Sequence, residues 1–245
     1  MKKEAIVSPR RNPHAALTLI ELLFLLFLFA VLAAIALPVF MRVKTKGNEV
    51  KALSNVKQIV LAMRLYASDN NGDYPSFVLK NGEPTKKYVS DSNTAFAQLF
   101  PTYVQEEKIF WQPHSAFCDP KGPDEVIDNP PKDTPVDTLK KGENGWAYVV
   151  GLNDTSNPAM PLVADGFADP KAHTYTADPT KPGGARKGLM AAVANVDGSA
   201  RMIPVNQQTM TIVGPNGGES RGDIFTTANA AKGWLVAWSV VVNPK

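Results

Sequence analysis

Side chains that commonly carry chemistry are few and scattered in this sequence. Its histidines are His14, His114 and His173, and its one cysteine is Cys118. None of them stands in a nucleophile, phosphate-loop or paired metal-ligand motif such as Gly-x-Ser-x-Gly or His-Glu-x-x-His. We expect His114 and His173 to lie in solvated loops, and Cys118 to be a buried or half-buried small apolar residue. The sequence therefore predicts that the chain is not an enzyme.

Carboxylates offer two weak possibilities for a calcium site. Oxygen ligands occur at Asp69, Asn71 and Asp73, but Gly72 lies where the EF-hand pattern does not want it, and no downstream bidentate Glu follows. A plain turn is favoured there. Further acids are scattered through the loops of the last third of the chain, at Asp165, Asp169, Asp178, Asp197 and Asp223. They could meet in space, but spacing does not require it, so we predict no metal and leave Ca²⁺ as an open alternative.

One acid, Glu21, stands at the start of a long apolar stretch. The 20 residues from Leu22 to Met41 contain no charge, and as a helix they would extend roughly 30 Å, about the thickness of a bilayer's hydrocarbon core. Basic residues flank the stretch on both sides, at Lys2, Lys3, Arg10, Arg11, Arg42, Lys44 and Lys46. A carboxylate in a membrane helix costs about 2.5–3.5 kcal/mol near the centre, and less near the end. We predict a transmembrane segment over residues 17–41 and expect Glu21 to have a partner.

Three interpretations of this stretch compete. A secretory signal peptide would be cut near the small-x-small site Ala34-Ile35-Ala36, but the apolar run is longer than a usual h-region and contains a carboxylate. A plain single-span anchor would leave Glu21 unexplained. In both cases the remainder would be a membrane-anchored or secreted periplasmic binding or enzyme domain. The third interpretation is a segment that assembles with copies of itself.

Residues 16–23, Ala-Leu-Thr-Leu-Ile-Glu-Leu-Leu, resemble the class III signal of type IV pilins and type II secretion pseudopilins. The resemblance implies that a prepilin peptidase cuts between Ala16 and Leu17, that Leu17 becomes N-methylated, and that Glu21 is fifth after the cut. It also implies that Glu21 pairs with the N-terminal amine of a neighbouring subunit. The family usually has Gly before the cut and Phe after it, where this chain has Ala16 and Leu17.

The resemblance implies a location and a set of partners. Residues 1–16 would be a cytoplasmic leader, and the mature chain would be a single-pass inner-membrane protein with a periplasmic head that later enters a pilus or pseudopilus. Its partners would be the peptidase, other pilin or pseudopilin subunits and inner-membrane lipid. The leader carries four of the 26 basic and one of the 23 acidic residues, so the rest has 22 of each. The processed chain is therefore neutral overall, and the head shows no basic footprint for nucleic acid.

The elements that follow should form a pilin-like α+β fold. We predict one helix over residues 17–67, kinked at Pro38, whose second half buries a stripe comprising Val50, Leu53, Val56, Val60, Met63 and Ala67. Lys51, Ser54, Asn55, Lys57, Gln58 and Arg64 should take the opposite face. The helix exit over 65–75, with its Asn-Gly turn and Tyr74-Pro75, also resembles that of major pseudopilins.

The head is predicted to occupy residues 68–245. Residues 76–145 should be rich in loops, with a short helix over 95–103, a buried strand over 109–111 and an exposed excursion over 119–144. Within it, Phe117–Pro120 resembles a Cys-Pro turn of the pilin-like group.

An antiparallel sheet over residues 146–245 should pack on the helix, with strands over 145–151, 161–166, 189–196, 199–205 and 233–242. Asp197-Gly198 predicts a type I′ hairpin turn. Some pilin-like proteins have a His, nine residues and then Asp-Gly at this place. Here Lys187 stands where they have His, so only the hairpin part of that element matches.

Overall fold

The computed structural model describes residues 18–129, 131–214, 223–226, 235 and 239–245, with no account of the side chains at 38, 39, 41 and 42. The chain divides into two compact units, Met1–Gly47 and Asn48–Lys245, and each is described by itself. The predicted leader, with Ala16 and Leu17, lies outside the described residues.

Helix α1 runs from Leu19 to Asp69, two residues later at each end than predicted. Within the first unit, every side chain from 18 to 37 is exposed. The helix assignment continues through Pro38, and the predicted kink at this proline stays a prediction.

Within the second unit, α1 is amphipathic and buries one face in the core of the head. Its buried apolar residues are Ala52, Val56, Ile59, Val60, Ala62, Met63 and Ala67, and they belong to the same hydrophobic cluster as strands of the sheet described below. Two details of the predicted stripe are wrong. Val50 is 67% exposed, and Asn55, assigned to the solvent face, is buried. Among the described residues, the buried apolar side chains of this face begin at Ala52.

The helix ends in the predicted turn. Asn71 and Gly72 both have positive φ, at 56° and 86°, and the N–H of Gly72 donates to the carbonyl of Ala67 at 2.8 Å. Asn and Gly tolerate this backbone region better than other residues do. Asp73 then forms an isolated bridge with Asn153, which joins the helix exit to the sheet region.

The described part of the head contains a five-stranded antiparallel sheet in the order β6-β5-β4-β3-β7. Its strands are β3 (Trp146–Val150), β4 (Pro161–Asp165), β5 (Met190–Asn195), β6 (Ala200–Pro204) and β7 (Val240–Val242). Strands β3 and β4 are buried along their whole length, because the apolar runs of the sequence form the central strands. Of the last predicted strand, residues 233–234 and 236–238 lie outside the described residues.

The β5–β6 hairpin is confirmed, but its turn differs from the predicted type I′. Type I′ requires positive φ at both central residues; here Gly198 has φ 83°, whereas Asp197 is not among the residues with positive φ. Asn195 donates to the carbonyl of Ser199 and accepts from Gly198, each at 2.9 Å. The loop therefore has three residues, 196–198, and only the last needs a left-handed backbone.

The region between α1 and the sheet contains more secondary structure than we predicted from the sequence. Strands β1 (Phe77–Lys80) and β2 (Glu83–Tyr88) form a hairpin around Asn81-Gly82. Helix α2 covers Ser92–Ala97, earlier than predicted, although Phe96, Leu99 and Phe100 are buried as expected. The prediction of a strand over 109–111 is wrong, because Glu107–Ile109 forms a 3₁₀ turn.

Candidate functional site

Glu21 forms a capping box with Thr18 at the start of α1. The Thr18 N–H and hydroxyl both donate to Glu21 Oε2, at 3.2 and 3.0 Å, and the Glu21 N–H donates to Thr18 Oγ1 at 3.3 Å. This reciprocal pattern satisfies backbone donors that an open helix end leaves without a partner. The contacts use one carboxylate oxygen, so Oε1 stays outside the capping box.

The apolar stretch after Glu21 is long enough to cross a membrane. The stretch Leu19–Leu37 has 19 residues, and none of them is buried. By length and composition, this one helix of the described residues could span a bilayer, and an N-terminal signal sequence would pass the same test. Exposing so many Leu, Phe and Ile side chains to water is unfavourable.

In the head, acidic side chains anchor the segment 119–144, which the sequence predicted to be an exposed excursion. Asp128 is buried and its Oδ2 accepts the N–H groups of Val136, Asp137 and Thr138 at 2.9–3.1 Å. The Lys132 ammonium lies 2.5 Å from Asp128 Oδ1. Burial opposes ionisation of Asp128, but these donors outweigh it and hold the pKa of this carboxyl well below its usual range.

Glu107 and Glu143 anchor both ends of the same segment. Glu107 Oε1 accepts the N–H of Leu139 at 2.6 Å, and Glu143 accepts those of Asp124 and Lys140 at 3.2 and 2.8 Å. Burial raises the pKa of Glu107 to about 7; the Leu139 N–H opposes this, and the charges of Glu143 and Asp124 add to it. Most described side chains of the segment are exposed or half-buried, as predicted, but composition did not indicate that buried acids bond to its backbone.

The five acids of the last third do not meet at one point. Asp169, Asp178 and Asp197 each accept the backbone N–H two residues ahead, at Lys171, Thr180 and Ser199. Of the remaining two, Asp165 forms an ion pair with Arg186, and Asp223 contacts the imidazole of His173. Among the described residues, no three of these five bring carboxylate oxygens together, so the structure does not support a calcium site built from them.

His173 is not the solvated loop residue that the sequence predicted. Its Nδ1 lies 2.5 Å from Asp223 Oδ2, and the two side chains are 17% and 13% exposed. The ring also packs against Phe167 and Phe225. His114 is exposed, as expected. The partner of His173 is 50 residues away, and for that reason local sequence gave no signal for this pair.

Cys118 is half-buried, as predicted. Burial raises the pKa of its thiol to about 11, although the N–H of Gln112 opposes this. A thiol must ionise to act as a nucleophile, so its environment is that of a structural cysteine.

A cleft of about 130 Å³ lies between α2 and the segment 119–144. Among its lining residues are Phe100, Asp128, Lys132 and Thr138. Clefts that enclose small molecules usually have about 300–1,000 Å³, so this one is small for such a ligand.

Comparisons of the chain with protein-family models, curated proteins and solved structures found no match. Functional inference therefore depends on the residues themselves. Thr18 was not among the predicted site residues, although Thr-x-x-Glu before an apolar run is the signature of a capping box.

Proposed function

We propose that this protein is a pilin-like subunit that assembles through its N-terminal helix into a type IV pilus or a type II secretion pseudopilus. The observation that carries the proposal is a lone carboxylate, Glu21, at the entrance of a helix whose next 16 residues are apolar and exposed. After removal of residues 1–16 in the inner membrane, the helices of neighbouring subunits would cover one another's apolar surfaces, while the head faces the periplasm.

Glu21 is suited to hold two subunits in register. Its Oε2 accepts hydrogen bonds from Thr18, whereas Oε1 lies outside the capping box. In low dielectric, an unpaired carboxylate is costly, and an opposite charge within contact distance offsets much of that cost. An N-terminal amine created at Leu17 of a neighbouring subunit would supply that charge. The proposal thus gives Glu21 two roles, capping its own helix and pairing with a second one.

Two substitutions separate these roles. Glu21→Gln keeps an oxygen for the Thr18 N–H, since Gln serves in capping boxes, but removes the charge. Thr18→Ala removes the hydroxyl and keeps the charge. In the native host, we expect both variants to insert into the membrane, and Glu21→Gln to reduce incorporation into sheared filaments at least tenfold. Thr18→Ala should have the smaller effect. Normal incorporation of Glu21→Gln would reduce Glu21 to a capping residue.

The N-terminal residue of protein isolated from membranes tests the processing step. A start at Leu17, methylated or not, is the expected result. A start near Leu37 would identify a secretory signal peptide, and with it a secreted periplasmic domain in place of an assembly subunit. Retention of Met1 under conditions in which the host processes its other prepilins would identify a plain anchor.

A further inference from the structure

The head contains a carboxylate trio that the assembly proposal does not use. Glu107, Asp124 and Glu143 each offer an oxygen, and these oxygens lie within 4.8 Å of one another. Glu107 and Glu143 are buried, whereas Asp124 is exposed. Like charges this close repel, and a cation bound between them would relieve that repulsion.

Glu107 gives an independent indication that something is bound. The residue is 0% exposed, and its Oε1 accepts the Leu139 N–H. Its Oε2 is buried and has no hydrogen-bond partner within the part of the chain that the structure describes. Buried carboxylate oxygens normally have a donor or a cation, and this one belongs to the side chain that faces Asp124 and Glu143.

We propose that Glu107, Asp124 and Glu143 bind one hard divalent cation with the chemistry of Ca²⁺. All three ligands are carboxylates, which Ca²⁺ prefers, whereas Zn²⁺ favours His and Cys. Three oxygens no more than 4.8 Å apart can all be reached from one point at about 2.8 Å or less. Small side-chain adjustments would reach the usual Ca–O distances of about 2.3–2.6 Å, and the shorter distances of Mg²⁺ would require larger ones.

Lys140 already supplies part of the positive charge. Its Nζ contacts Asp124 Oδ2 and lies 3.9 Å from Glu143 Oε1, but its side chain is 45% exposed and can turn to solvent. Lys140 contacts Asp124 and approaches Glu143, and among the described residues no ion pair reaches Glu107. In the proposal, the divalent ion displaces Lys140 from Asp124, so Lys140 competes with the metal.

Such an ion would fasten a segment that has little secondary structure. Its ligands are 17 and 19 residues apart along the chain, and a cross-link that closes long loops restricts the unfolded chain most. The site does not depend on filament assembly, and its test is separate from that of Glu21.

Calorimetric titration of the purified full-length chain in detergent, after EDTA treatment and dialysis, tests the site with CaCl₂ alone. We expect a single site with a dissociation constant of about 1 mM or tighter, and a higher Tm in CaCl₂ than in EDTA. Glu107→Gln keeps an oxygen for the Leu139 N–H and should weaken binding at least tenfold. Asp137→Asn, at a half-exposed acid of the same segment outside the trio, is the matched control and should bind normally.

Lys140→Met keeps the test decisive if Glu107→Gln unfolds, which near-UV circular dichroism would reveal. Removal of the competing ammonium should tighten Ca²⁺ binding several-fold. The proposal is overturned if the wild type binds no Ca²⁺ at Ca²⁺ concentrations up to 10-fold above the expected dissociation constant. Binding that is unchanged in a folded Glu107→Gln variant, or in Lys140→Met, would also contradict it.

Discussion

Arg186 forms an ion pair with Asp165 inside the head, where the two side chains are 17% and 4% exposed. The same oxygen, Asp165 Oδ2, also accepts the Ala192 N–H at 2.8 Å. Asp165 ends β4 and Ala192 lies in β5, so one carboxylate joins two neighbouring strands to the loop that carries Arg186. Its other oxygen, Oδ1, is buried without a hydrogen-bond partner among the described residues, so Arg186 is the main compensation for this charge.

Replacing Arg186 by Met should therefore destabilise the head severely. The substitution keeps much of the apolar stem but leaves Asp165 as an uncompensated buried charge, which typically costs about 3–5 kcal/mol. Urea unfolding followed by tryptophan fluorescence would measure the loss. Arg201→Met, at an exposed arginine of β6, should change stability by about 0.5 kcal/mol or less. Equal effects of the two variants would contradict a structural role for the pair.

Asp128 should make the head sensitive to acid. Its pKa is well below the ordinary value in the folded state, so the unfolded chain takes up this proton first as the pH falls. The stabilisation is complete above about pH 5 and declines progressively below the unfolded pKa of about 3.9. Asp128→Asn should cost about 1–3 kcal/mol at pH 7 and show a weaker decline of unfolding free energy between pH 5 and pH 3. A decline as steep as that of the wild type would show that other groups cause it.

Gly198 should tolerate Asn better than Val. Its φ is 83°, and a Cβ would meet only Arg64 Nη1 at 3.8 Å, so space is not limiting. The cost of substitution is thus conformational, about 1–2 kcal/mol for Val and less for Asn, which enters the left-handed region more readily. Thermal unfolding of the two variants would compare them. Equal Tm values would mean that the loop relaxes to negative φ.

Cys118 should react slowly with alkylating reagents in the folded protein. A thiol with a pKa of about 11 has roughly a hundredfold less thiolate at pH 8 than an ordinary cysteine. Iodoacetamide labelling followed by mass spectrometry should therefore be slow in buffer and fast in guanidinium chloride. Rapid labelling of the folded protein would contradict the buried environment.

Sequence patterns predicted the elements whose side chains repeat with a clear period. Helix α1, the central strands β3 and β4, and the β5–β6 hairpin all follow from apolar periodicity and turn residues. Where prediction failed, tertiary contacts decide the outcome. Asn55 is buried although its helical position looked solvent-facing, and Phe110 is buried next to a 3₁₀ turn that resembled a strand.

The sites of the head could be predicted less well than the fold. Glu107, Asp124 and Glu143 are far apart in sequence and come together only because backbone N–H groups at Asp124, Leu139 and Lys140 need acceptors. His173 and Asp223 likewise lie 50 residues apart, and their contact joins two side chains that only the tertiary fold brings together. By contrast, the Thr18–Glu21 capping box is local, and its four-residue pattern in the sequence is sufficient to predict it.

In residues 119–144, the positions that anchor the backbone differ from the positions that form the exposed surface. Asp128 and Glu143 hold this segment through backbone N–H groups, and those contacts do not depend on which side chains occupy the exposed positions between them. Homologous chains could vary the exposed positions, among them Lys121 and Val136, while keeping the acids. The exposed surface of this segment can therefore change its chemistry while its backbone keeps the same path.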